Sequence, residues 1–279
     1  MRCIMKNCSI FLTLVAVMAC LALTTGCASS GRLSQPPPVT EIGSLPETGY
    51  LSWQALPDSA ALLPPPDAGG SAALALDEEV SRKCLDLRGT PRWGLAKEDA
   101  DLNFPQAAGT FSCALNAPIT EQDTPHLYKL LRLIKADAGN STKRAKEEYH
   151  RTRPFVVNKQ PICTPNDKAD LKNSGSYPSG HAAIGWAWAL ILTEIAPEQT
   201  DAILGRGRAF GESRMVCNVH WQNDVIEGRF MGASTVARLH ANPTFRADIE
   251  TAKAELAAVR AKGLKPLRDC AAETAAMAK

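Results

Sequence analysis

Three short blocks of this 279-residue sequence carry side chains that could grip and attack an oxyanion. The first, "KEEYHRTRP", holds Lys146 and Arg153 seven positions apart, so both point from one face if the block is helical. Arg153 precedes Pro154, which disfavours the α conformation and lets the guanidinium project from a helix end. The second, "GSYPSGHAAIGWAWAL", sets a polar turn before an apolar run. Pro178 stops what precedes it, Ser179 is a good N-cap, and the residues from Gly180 onward read as the first turn of a buried helix. Such a helix mouth offers unpaired N–H groups and partial positive charge, and Gly180, without a Cβ, lets an anion come close. His181 sits at that mouth. In the third block, "SRMVCNVHWQND", Ser213 and Arg214 close one helix. His220 and Asp224, at i and i+4, let the carboxylate hold one imidazole nitrogen and leave the other free.

Each block alone has an ordinary explanation: a solvated charged stripe, a capped core helix, a surface His–Asp pair. Together they suit a phosphoryl group, whose transfer depends mostly on positioning and on cations around its equatorial oxygens. Lys146, Arg153 and Arg214 supply the cations, and Ser179 with the Gly180 N–H adds neutral donors. His220, oriented by Asp224, is the expected nucleophile, forming a phosphohistidine. His181 is the expected general acid, then the base that activates water. Nothing in this set calls for a metal or cofactor.

These residues need helices to hold them. "TPHLYKLLRLIKADAG" carries one stripe of Leu127, Leu130, Leu131 and Ile134, with Gly139 as its stop. "STKRAKEEYHRTRP" reads as a helix capped by Ser141 and ended by Pro154. Residues 197–216 form a helix with Gly205, Gly207 and Gly211 on a face for close packing. Asn218 is placed as the cap of a helix running through Asp224 toward Leu239, and "TFRADIETAKAELAAVRAK" is a polar amphipathic helix. "SAALALDEEVSRKCLDL" is helical with mixed apolar spacing, and the Pro/Gly-rich "ALLPPPDAGGSAA" before it reads as a strap. Alternating β-branched runs are nearly absent. The expected fold is all-α, a compact multi-helix domain over residues 50–262 with its site at helix ends. Residues 263–279 read as a loose tail.

Ahead of that domain, residues 1–27 have a basic start, an apolar core from Ile10 to Leu23 and a small-residue end, the pattern of a secretory signal. "LTTGC" resembles a bacterial lipobox, with Thr24 where leucine is commonest, and makes Cys27 the expected lipidated residue. Ordinary cleavage and an uncleaved anchor are the alternatives. Residues 28–48, rich in Ser, Pro and Gly, read as a flexible tether. The expectation is a periplasmic protein tied to the outer membrane by lipid. No later apolar run approaches the ~18 residues of a membrane span. A net charge of +2 argues against nucleic-acid binding, and homo-oligomer formation is left open. Past residue 27 five cysteines remain, Cys84, Cys113, Cys163, Cys217 and Cys270, so at most two internal bridges form and one thiol is left over.

In order, the blocks read K-x6-RP, PSGH and SR-x5-H-x3-D. This resembles the signature of the type-2 phosphatidic acid phosphatase and vanadium haloperoxidase superfamily. "GSYPSGH", "ALLPPP", "API-TE" and "HWQ-D" look like the bacterial class A non-specific acid phosphatases in particular, over roughly residues 50 to 255. Ala182 departs from the threonine common there. The resemblance implies metal-independent hydrolysis of phosphate monoesters, and a bridge between Cys163 and Cys217. Cys84–Cys113 is a weaker second pairing, with Cys270 the odd thiol. A lipid phosphatase would want membrane spans, a haloperoxidase would hold vanadate in the same cage, and a phosphate-binding lipoprotein would not need the two histidines.

Overall fold

The computed structural model describes residues 48–278. The signal segment, Cys27 and nearly all of the expected tether lie outside them. Regular structure among the described residues is entirely helical. Ten helices position the site: α1 (Ala72–Leu85), α2 (Pro91–Glu98), α3 (Pro125–Ser141), α4 (Lys143–Tyr149), α5 (Pro154–Asn158), α6 (Gly180–Ile195), α7 (Thr200–Val216), α8 (Gln222–Leu239), α9 (Pro243–Ala261) and α10 (Cys270–Met277).

Helix α6 is the axis. Apolar almost all round, it buries Ile184, Trp188, Ile191 and Leu192 and packs against α3, α7, α8 and α9. Helices that are apolar on every side belong inside a bundle. The expected α3 stripe of Leu127, Leu130, Leu131 and Ile134 is wholly buried against it, and Trp188 Nε1 donates to the Leu131 carbonyl at 2.8 Å. Small residues set the spacing. A Cβ on Gly207 would lie 2.4 Å from the Ala189 Cβ, and one on Gly228 2.4 Å from the Ser179 carbonyl oxygen. Gly228 thus lets α8 press its first turns against the start of α6. Gly205, expected on the same packed face, looks onto open space.

Several boundaries differ from expectation. Helix α3 runs past Gly139 to Ser141, and α4 follows it directly. The chain then leaves α4 at His150, in the left-handed conformation at φ 43°, and Pro154 opens α5 instead of closing a helix. Proline is well placed in a first turn, where its missing N–H has no helical partner to lose. Asn218 does not cap α8: at φ 60° it turns the chain, and α8 begins at Gln222 with Trp221 before it. His220 therefore lies in the turn ahead of the helix.

The ends of the domain are also tied down. Asp137 accepts the backbone N–H of Tyr50 and Leu51 at 2.8 and 3.1 Å, and the Tyr50 hydroxyl donates to Asp248. Leu63 of the strap is buried, while Trp53 and Leu62 stay exposed. Residues beyond 262 are not a loose tail throughout. Asp269 caps α10, which packs on α2, and its Glu273 is buried beside Arg206. The expected Cys163–Cys217 bridge is present, but the second bridge is Cys113–Cys270, and among the described cysteines the free thiol is Cys84. The difference has a physical source: once α10 is taken for loose chain, its cysteine has no fixed neighbour.

Candidate active site

The three blocks meet where α4, α6, α7 and α8 begin or end. Lys146 and Arg153 do not share a helix face, since the chain breaks at His150. Instead Lys146 Nζ, in the last turn of α4, donates to the carbonyls of Gly175 and Ser176 at 3.1 and 3.3 Å. Arg153, extended at φ −75°, ψ 152°, reaches the same loop, donating to the Leu171, Ser174 and Gly175 carbonyls. Pro154 thus keeps Arg153 out of the α conformation as expected, although the chain reaches it by a different route.

Ser179 caps α6 through its Oγ, which accepts from Ala182 N at 3.3 Å, and its own N–H donates to the Asp224 carbonyl at 2.8 Å. That contact joins the second and third blocks. Gly180 follows as the first residue of α6, with Thr142 Oγ1 3.5 Å from where its Cβ would be. The Cys163–Cys217 bridge ties the loop before PSGH to the turn before His220 and sits in a small apolar cluster with Phe155, Val216 and Val219.

The contacts of each histidine favour one tautomer. Arg153 Nη1 lies 3.1 Å from His220 Nε2, and a guanidinium can only donate, so Nε2 presents its lone pair. The proton is then on Nδ1, which donates to Asp224 Oδ2 at 3.2 Å. His181 Nε2 lies 3.0 Å from the Ala100 carbonyl, which can only accept, so there the proton is on Nε2. Burial, together with Arg214, holds His181 well below the ordinary histidine range, and burial with Arg153 and Lys146 does the same to His220.

Positive charge dominates the rest. Lys146 is pushed down to about 7, by burial first and Arg153 second. Burial brings Arg153 and Arg214 to about 10, so both remain cationic at neutral pH. Arg214 is buried, yet its Nε and Nη1 have no hydrogen-bond partner among the described residues. Buried N–H groups are seldom left unpaired, and a buried cation without an acceptor is costlier still. A dianion seated here would supply the acceptor.

Two groups escaped sequence reasoning. Arg151 donates from Nη1 to Asp224 Oδ1 and from Nη2 to Asp77 Oδ2, each at 2.7 Å. Its signal was the Arg-x-Arg spacing before Pro154, since residues two apart in extended chain share a face. Asp77, on α1, had no local signal. The second group is Asp99, which is paired with Arg206 and accepts from Ser213 Oγ at 2.6 Å. It anchors the turn whose Ala100 carbonyl meets His181.

The chain resembles proteins of known activity over most of its length. Residues 131–247 match the model of the PAP2 superfamily. The non-specific acid phosphatase of Providencia stuartii is 44% identical over 225 residues, 80% of this chain and 91% of that protein. The acid phosphatase of Zymomonas mobilis is 39% identical over 246 residues, 88% of this chain and 92% of the relative. The non-specific acid phosphatase of Salmonella typhimurium is 40% identical over 195 residues, 70% of this chain and 78% of its own. Among the described residues no helix is long and apolar enough to cross a membrane. With its all-helical fold and its three blocks gathered at helix ends, the chain belongs to the PAP2 superfamily and, within it, to the acid phosphatases.

Proposed function

We propose that this acid phosphatase cleaves phosphate monoesters of many alcohols through a phosphohistidine on His220, without a metal ion and outside the cytoplasm. The observation that carries the reading is the unmatched positive charge. Asp224, the carboxylate beside His220, is already matched by Arg151, which leaves for an incoming dianion Lys146, Arg153 and Arg214, whose Nε and Nη1 have no hydrogen-bond partner among the described residues. His220 Nε2 bonds to phosphorus as the ester P–O bond breaks, and His181 gives a proton to the departing alkoxide. Water then attacks phosphorus, His181 takes its proton, the P–N bond breaks and phosphate leaves.

Breadth of specificity is supported by the space beyond His181. A cleft of about 950 Å³ there is lined by Lys97, Asp101, Leu102, Asn103, Thr164 and Asp167, and among the described residues no Phe, Tyr or Trp lines it to stack a base. Hydrolysis of 4-nitrophenyl phosphate tests the reading. Activity should survive dialysis against EDTA and yield to competition by phosphate and vanadate. The value of kcat/KM should fall as pH rises through about 7, where Lys146 loses its proton. Loss of turnover in EDTA, restored by a divalent ion, would refute the metal-free mechanism.

Export and lipidation at Cys27 belong to the same proposal. They rest on the N-terminal sequence and on the two disulfides, which persist in oxidising compartments. The intact protein should partition into detergent, whereas Cys27→Ser should be exported and stay in the aqueous phase. Equal partitioning of the two would reject the lipid anchor.

A further inference from the structure

Behind the His220–Asp224 pair stands a second buried ion pair that no phosphate-binding role accounts for. Arg151 is 8% exposed and Asp77 3%, and the guanidinium lies between Asp77 and Asp224 like a strut, over the Trp221 ring at 5.7 Å. The geometry is fully used. One oxygen of Asp77 takes Arg151, and the other accepts the Asn223 N–H at 2.9 Å, one residue before Asp224. Oδ1 of Asp224 takes Arg151, and Oδ2 takes both the Trp221 N–H at 2.9 Å and His220 Nδ1. The Trp221 indole N–H closes the unit on the Thr152 carbonyl at 2.8 Å. Helix α1 is thereby joined through one guanidinium to the first turn of α8.

We infer that Arg151, braced by Asp77, is a positioning residue that holds Asp224 as a carboxylate and so keeps His220 as the Nδ1–H tautomer with Nε2 facing the phosphorus. The inference rests on the proposed role of His220 as nucleophile. Asp224 is faced by Arg151 from the segment after α4, Asp77 from α1, Lys146 from α4, Arg153 from the segment before α5, Tyr177 from the loop before α6, and His220. Full burial pushes its carboxyl upward, and Arg151 is the largest influence pulling it back. A protonated Asp224 would no longer need a proton from Nδ1, and the imidazole could place its own proton on Nε2, where it blocks attack. It would also fail to balance the positive charge that His220 gains when phosphorylated.

Two variants test this, Arg151→Met and the double variant Arg151→Met/Asp77→Asn. The single variant leaves Asp77 buried without its cation, which can unfold the protein. The double variant removes that charge and restores a matched interior. In the folded variant the acid limb of the kcat/KM profile should move up by about one to three pH units, the reach of a neighbouring opposite charge. Below that limb, phosphoenzyme formation should fall about tenfold for every pH unit that the limb moves. The inhibition constant of phosphate near neutral pH should stay within about threefold, because Arg151 touches no phosphate-binding group, and added guanidinium should recover activity. If the double variant folds and its acid limb and rate match the wild type, Arg151 is merely structural and the inference falls. A rapid-quench label on a residue other than His220 in the wild type would overturn the nucleophile assignment instead, a separate result from an unmoved pH limb.

Discussion

Replacing His220 with alanine is expected to lower turnover by about 10⁴- to 10⁶-fold and to leave no acid-labile phosphoenzyme, as when a covalent nucleophile is taken from a hydrolase. The geometry supports the proposed assignment. His220 has a ring nitrogen beside the cation cluster, with Arg153 Nη1 3.1 Å from Nε2, whereas His181 Nε2 is engaged by the Ala100 carbonyl. When phosphate arrives, that guanidinium can pass from the imidazole to an equatorial oxygen, freeing the lone pair as the dianion binds. On the far side of the ring, Asp224 accepts from Nδ1 and fixes its orientation. Asp224→Asn keeps the ring but allows the wrong tautomer, so its loss should be smaller than that of His220→Ala. Rapid-quench trapping with a ³²P-labelled ester reads both. A label that persists in His220→Ala, or that maps to His181, would reverse the two roles.

How much of this was legible in the chain depends on how local each feature is. The PSGH turn was readable because an N-cap, a glycine and an apolar run lie within a few residues. The structure keeps Ser179 as cap and α6 as the buried axis. The α3 stripe was readable for the same reason. The i, i+4 spacing predicts the His220–Asp224 pairing on a helix, whereas the ring is presented from the turn before it. The pairing survives because Asp224, third in α8, reaches back past Trp221 to His220. Pro154 misled because proline ends one helix and begins the next with equal ease, and only the left-handed His150 decides between the two. Asp77, Asp99 and Glu273 could not be found this way. Each works through a partner on another element, Arg151 being 74 residues from Asp77 and Arg206 107 from Asp99, and no periodicity records such pairs. The Cys113–Cys270 bridge, spanning 157 positions, is of the same kind.

The second large effect should come from His181→Ala, and its size should depend on the alcohol. General acid help contributes about 10²- to 10⁴-fold where the leaving group is a poor one. Alkyl phosphates should lose that much, whereas 4-nitrophenyl phosphate, whose phenolate departs unaided, should lose far less. The surroundings of His181 suit this proposed task. The Ala100 carbonyl fixes the ring through Nε2 and is itself held by Asp99 in its pair with Arg206, while Phe210 stacks on the ring at 6.3 Å. In the free enzyme, burial and Arg214 keep the imidazole neutral. A bound phosphoryl dianion offsets that cation and raises the proton affinity of the ring, so His181 gains its proton with the substrate. In His181→Ala a plot of log kcat against leaving-group pKa should steepen. An equal loss for alkyl and nitrophenyl esters would mean that His181 serves binding alone, and the proton would have to come from elsewhere in the cleft.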